Sequence, residues 1–122
     1  MKNDLPERLF QFAVKSVKFM RFLPVEPEFN NIRYQLSKSA TSSGANYEEA
    51  QAGSSKADFI FKTEICLREM RESNYWYRIA EATINFKGIG KDELNHLLKE
   101  SSELKNILGS IIVKSKANLL KK

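Results

Sequence analysis

The chain has 122 residues, 42% of them apolar and 29% charged, which suffices for one hydrophobic core and excludes a disordered, highly charged polymer. The net charge of +5 permits contact with a nucleic acid or an anionic surface without requiring it. Cys66 is the only cysteine, so no intrachain disulfide forms and a reducing cytoplasm is expected; no apolar run reads as a signal peptide or a membrane span.

Three Pro and five Gly punctuate a chain rich in Lys, Glu, Leu and Ala, which predicts long helices. The first helix is predicted over Leu5–Phe22. Asp4 can cap it, Pro6 has no N–H to leave unsatisfied, and Glu7 suits its positive end. Leu5, Leu9, Phe12, Ser16 and Phe19 alternate spacings of four and three, one helical stripe. Phe10, Val14 and Val17 widen the apolar surface beyond it, and Pro24 stops the helix.

The second helix is predicted from Pro27 to a stop at Gly53. Phe29, Ile32, Leu36, Ser39, Ser43, Asn46, Ala50 and Gly53 share a stripe whose later members are small or polar. Neighbouring helices can come close there, and Asn46 would need hydrogen-bond partners if buried. Ala40 and Gly44 form a second small pair. Gly44 costs a helix about 1 kcal/mol relative to Ala, which points to close backbone approach or a bend.

The third helix is predicted from Ser54 or Ser55 to Phe86, opening on a capping-box-like Ser55-Lys56-Ala57-Asp58. Phe59, Cys66, Met70 and Tyr77 make one apolar line; Phe61, Ile65, Trp76, Ile79 and Phe86 make another. A lone bundle buries one stripe, so the second predicts contact with another copy of the chain through Phe61, Ile65, Trp76 and Ile79. A single broad core face is the competing reading. Glu64, Arg68 and Glu72 are spaced to form a ladder of ion pairs.

Gly88-Ile89-Gly90 reads as a tight connection, and the fourth helix is predicted over Lys91–Asn118. Leu94, Leu97, Ser101, Leu104, Leu108, Ile111 and Ser115 give a heptad-like seam. Four helices with short breaks and matched stripes predict an all-α, antiparallel up-and-down four-helix bundle over residues 1–122.

Chemistry is sparse. A di-iron site in a bundle needs two Glu-x-x-His motifs, and Glu93-x-x-His96 contains the only histidine. Cys66 with His96 has no local support as a nucleophile and base, and a core cysteine is commoner. Ser42-Ser43-Gly44 lacks the preceding strand of a nucleophile elbow, and no phosphate loop occurs. No catalytic residue, metal or cofactor is therefore expected, and the chain is read as no enzyme. For nucleic acid the candidates are Arg8, Lys15, Lys18, Arg21, Lys114, Lys116, Lys121 and Lys122, on phosphate attraction alone. A solvated basic face explains any one of them equally well.

The run Ser39-Ala40-Thr41-Ser42-Ser43-Gly44-Ala45-Asn46-Tyr47-Glu48-Glu49-Ala50, with Phe59 and with Leu67-Arg68-Glu69-Met70-Arg71-Glu72-Ser73-Asn74-Tyr75-Trp76-Tyr77-Arg78, resembles a bacterial four-helix bundle family. That family includes proteins encoded in intervening sequences of large-subunit ribosomal RNA. Its usual run is closer to Asn-Ile-Ala-Glu-Gly, from which Tyr47 and Ala50 depart. The resemblance implies a ring-shaped homo-oligomer, a pentamer, and kinship to the accessory variability determinant of diversity-generating retroelements, a basic bundle that binds nucleic acid and a reverse transcriptase. It brings no catalytic residues. The expected activity is non-enzymatic binding of structured RNA or DNA, or else a scaffold that binds a protein partner, with no membrane role.

Overall fold

The computed structural model describes residues 4–121. Among them are four α-helices and no strand: α1 (Leu5–Phe19), α2 (Asn30–Gln51), α3 (Lys56–Thr83) and α4 (Gly88–Leu120). Each helix packs on the next, and α4 closes back on α1. Cross-helix contacts fix the directions. Ser39 meets Ser73 and Ser43 meets Cys66 between α2 and α3; Asn74 meets Ser101 and Glu64 meets Lys116 between α3 and α4. In each pair of contacts one number rises as the other falls, so neighbours run antiparallel. Among the described residues no helix is long and apolar enough to cross a membrane.

The entry to α1 forms as its sequence dictates. Asp4 Oδ1 accepts from the Glu7 N–H at 3.2 Å, and Leu5, Leu9, Phe12, Ser16 and Phe19 are all buried. A short 3-10 turn at Met20–Phe22 ends the helix. Another at Pro27–Phe29 leads into α2. Arg33 ties this connection down: its Nη2 donates to the carbonyls of Leu23 and Pro24 at 3.2 and 3.0 Å.

The small residues of α2 let two neighbours approach. Ser39, Ala40, Ser43 and Gly44 are buried, and a Cβ on Gly44 would sit 3.3 Å from Leu9 Cβ. Gly44 therefore marks close backbone approach. Each buried hydroxyl finds a partner, as a buried polar group must. Ser39 Oγ lies 2.8 Å from Ser73 Oγ, Ser43 Oγ donates to the Cys66 carbonyl at 2.9 Å, and Tyr77 Oη donates to Ser16 Oγ at 2.7 Å. Asn46 is only half-buried and bonds within its own turn to Ser42; Tyr47 takes the buried place beside it.

Several boundaries differ from expectation, each for a local reason. α3 stops at Thr83 rather than Phe86, because Ile84 turns extended at φ −125°. Phe86 then folds back onto Phe19, ring centroids 5.4 Å apart. The break lies at residues 84–87, not at Gly88-Ile89-Gly90, which opens α4. Gly88 adopts φ +56°, a left-handed conformation that glycine tolerates. Gly90 lies within α4 and packs against Phe22, whose Cδ1 would be only 3.1 Å from a Cβ at this position. The α4 seam buries Ile112 rather than Ile111. The Glu64–Arg68–Glu72 ladder does not form; Glu64 pairs across to Lys116 Nζ at 2.8 Å.

Cys66 is a fully buried core residue. Burial pushes its thiol up to about 11, and burial also raises the Tyr77 phenol. Both groups hold their protons more tightly folded than unfolded. The stabilisation is complete below the unfolded thiol value and is lost as pH rises from there through about 11. The urea midpoint should fall across that alkaline window, and Cys66 should react with a thiol reagent only as fast as the fold opens. Rapid labelling of native protein at neutral pH would contradict this account.

Candidate nucleic-acid interface and association surfaces

The eight candidate cations do not form one patch. Arg8 on α1 is committed to α4: its Nη2 lies 2.8 Å from Glu100 Oε1 and 3.1 Å from Glu103 Oε1, and its Nε donates to Glu100 at 3.0 Å. The Glu100 hydrogen bond raises its pKa further above the ordinary arginine value. With both carboxylates in hand, Arg8 is a clasp between helices rather than a free cation. Lys116 is likewise occupied by Glu64.

Lys15, Lys18 and Arg21 are brought together. With Phe19, Phe22, Ile89 and Glu93 they line a concavity of about 280 Å³ where the end of α1 meets the start of α4. Lys15 Nζ is 3.4 Å from His96 Nε2. His96 is exposed there while Cys66 is enclosed in the core, so the two do not form a catalytic pair. Lys114 and Lys121 are exposed near the other end of α4, roughly 40 Å away at the helical rise. Lys122 lies outside the described residues. Among the described residues no cluster of three or more His, Cys, Asp or Glu is placed to hold a metal ion.

The apolar surface is distributed differently from the sequence reading. On α3, Phe61 is 59% exposed and Ile65 is half-buried. Trp76 and Ile79 pack partly against the chain's own core. Trp76 Nε1 is shut from solvent with no hydrogen-bond partner, as is Glu69 Oε1. Burial and nearby Glu72 raise the pKa of Glu69. Phe61 belongs to a smaller apolar depression with Ile60, Leu119 and Leu120 at the α3–α4 end.

The larger uncovered apolar surface is a groove of about 560 Å³ between α1 and α2. Phe10, Ala13, Val14 and Val17 form one wall, Thr41, Gly44 and Ala45 the other, with Lys18 and Glu48 also lining it. Phe10 and Val17 are each about half exposed. The sequence carried this signal in the apolar residues flanking the α1 stripe.

A second group of cations had not been singled out. Arg71 and Arg78 on α3 and Lys105 on α4 line a polar cleft of about 400 Å³ with Asn74, Asn106 and Gly109. The two arginines sit two helical turns apart, a same-face spacing legible in the sequence.

Comparison with known proteins agrees with this architecture. A crystal structure of a protein of unknown function from the S23 ribosomal protein family of Bacteroides thetaiotaomicron is 32% identical, with a TM-score of 0.78 over 88% of this chain and 97% of that one. None of the curated proteins matches the chain. The family model for the 23S rRNA-intervening sequence protein matches residues 1–110. With the four-helix bundle, the close structural likeness and that match in hand, the chain belongs to the 23S rRNA-intervening sequence protein family.

Proposed function

We propose that the protein is a non-enzymatic bundle that assembles into a ring of five copies in the cytoplasm and binds structured RNA or DNA through its repeated basic surfaces. The uncovered α1–α2 groove carries this reading. It is concave and apolar, and the second apolar surface, around Phe61, Leu119 and Leu120, lies elsewhere on the chain. Contact between unlike patches is heterologous, and heterologous contacts give a ring where the rotation between neighbours closes and a filament where it does not. The pentameric number follows the family resemblance. Repetition of the cations in a ring would multiply weak phosphate contacts by avidity.

Sedimentation equilibrium at micromolar concentration should give a multiple of the chain mass. Val17→Glu places a charge in the groove at an exposed site and should give folded monomer. A wild-type monomer, or an unchanged Val17→Glu assembly, would overturn the groove contact. The protein should stay on a nucleic-acid column at low salt and elute as salt rises, with Lys15→Glu/Lys18→Glu retained less. A stable protein partner recovered after nuclease treatment, with no column retention, would favour a scaffold instead.

A further inference from the structure

We propose that the α3–α4 cleft lined by Arg71, Arg78 and Lys105 is a built site for the phosphodiester backbone of a nucleic acid; the assignment rests on the nucleic-acid reading above and moves its centre to a surface that reading did not use. Three observations converge on it.

The first is charge. The six residues that line the cleft include three cations and no carboxylate. The ion pairs among the described residues involve Arg8, Lys62 and Lys116, so the cleft cations have no acidic partner. Three like charges gathered without a counter-charge repel one another, and a bound anion relieves that repulsion.

The second is preorganisation. Asn74 is buried, and its Nδ2 donates to Ser101 Oγ at 2.9 Å. Ser101 Oγ in turn donates to the Leu98 carbonyl at 3.1 Å. The remaining amide oxygen, Asn74 Oδ1, accepts from Arg78 Nε at 3.2 Å. A chain of hydrogen bonds anchored in the α3–α4 interface therefore fixes the guanidinium through Nε. Arg78 also lies over the Tyr75 ring, 5.5 Å from its centroid. The two terminal nitrogens are left for a planar, two-pronged contact with phosphate oxygens.

The third is space. Gly109 sits inside α4, where glycine weakens a helix relative to alanine. A Cβ there would meet nothing within 4 Å, so packing does not demand glycine. Its effect is to keep the cleft open. Tyr75, 47% exposed and carrying Arg78 over its ring, is not part of the cleft lining but offers beside it an aromatic ring of the kind on which an unpaired base stacks. That favours a nucleic acid over a free phosphate.

The test is fluorescence anisotropy of the full chain with a labelled RNA hairpin carrying a single-stranded tail, between 50 and 200 mM salt. Arg71→Gln/Lys105→Gln should weaken binding at least about tenfold at the lowest salt. It should also reduce the slope of log K against log salt by about 1.4, the value for two single-strand phosphate contacts. Gly109→Leu fills the cleft without changing charge and favours the helix; it should weaken binding comparably, which a diffuse basic surface would not notice. Circular dichroism checks that each variant folds. Wild-type affinity in Gly109→Leu and in the double variant overturns the site. If only Lys15→Gln/Lys18→Gln loses affinity, the cleft assignment falls and the nucleic-acid reading stands. If wild type binds neither RNA nor DNA at 50 mM salt, both fall. Displacement of the RNA by micromolar inorganic phosphate overturns the choice of a nucleic acid as ligand.

Discussion

Truncating Tyr77 to alanine should cost about 3–5 kcal/mol in a urea titration, the usual cost of deleting a large buried aromatic. Tyr77 is the largest of the fully buried side chains among the described residues. Its ring lies edge-on to Phe12 and Phe19, with centroids 6.1 and 5.4 Å away, so it joins α3 to two positions of the α1 stripe. Alanine leaves a cavity walled by two phenylalanines that backbone neighbours cannot collapse to fill. It also strands Ser16, whose buried hydroxyl bonds to Tyr77 Oη at 2.7 Å. Tyr77→Phe separates the two effects. It keeps the ring and removes only the hydroxyl, for a loss of about 1–3 kcal/mol from the unsatisfied serine. Against a typical margin of about 5–15 kcal/mol, the alanine variant should lie near the limit of folding at 37 °C. Equal costs for the two variants would show that the hydroxyl pair, not the ring, ties α1 to α3.

The α1 stripe was legible because everything that specifies it is local: a cap, a proline, a period. The α4 seam was legible until Leu108. Beyond it, steps of three and four lead to Ile111 and Ile112 alike, and the drift of a real helix against the heptad grid selects the second. Gly90 was misread as a break because its packing partner is Phe22, 68 positions earlier in the chain, and beside Gly88 it reads as part of a turn; Gly44, alone inside a helical period, was legible as a close approach. Trp76 and Ile79 show the same limit on α3. Their periodicity reveals an apolar face, but not how much of it the adjacent helices cover. Arg8 reads as a free cation until Glu100 and Glu103 are folded against it. The α3–α4 cleft escaped notice since Lys105 is remote in sequence from Arg71 and Arg78. Only the spacing of the two arginines around Asn74 gave a hint.

Gly44→Leu should be the most damaging change on α2, destabilising at or above the upper end of the roughly 1–3 kcal/mol typical of an overpacked core. Helix propensity alone predicts the opposite sign, because leaving glycine gains nearly 1 kcal/mol. Geometry decides between them. A Cβ at this position lies 3.3 Å from Leu9 Cβ and 3.4 Å from the Leu9 carbonyl oxygen. Alanine needs α1 to yield by a few tenths of an ångström, so its helix gain and packing strain should nearly cancel. Leucine carries three more carbons into backbone that cannot move aside as a flexible side chain would. Nor can α1 swing freely, because Arg8 holds its other flank to α4. Gly44 also lines the α1–α2 groove, so a Gly44→Leu chain that does fold must do so with that groove reshaped. Its sedimentation should then shift toward monomer along with its lowered urea midpoint. A stable Gly44→Leu variant that retains wild-type association would show that the two helices can separate without consequence. It would remove both the close-approach explanation of this glycine and the groove's claim to be where copies meet.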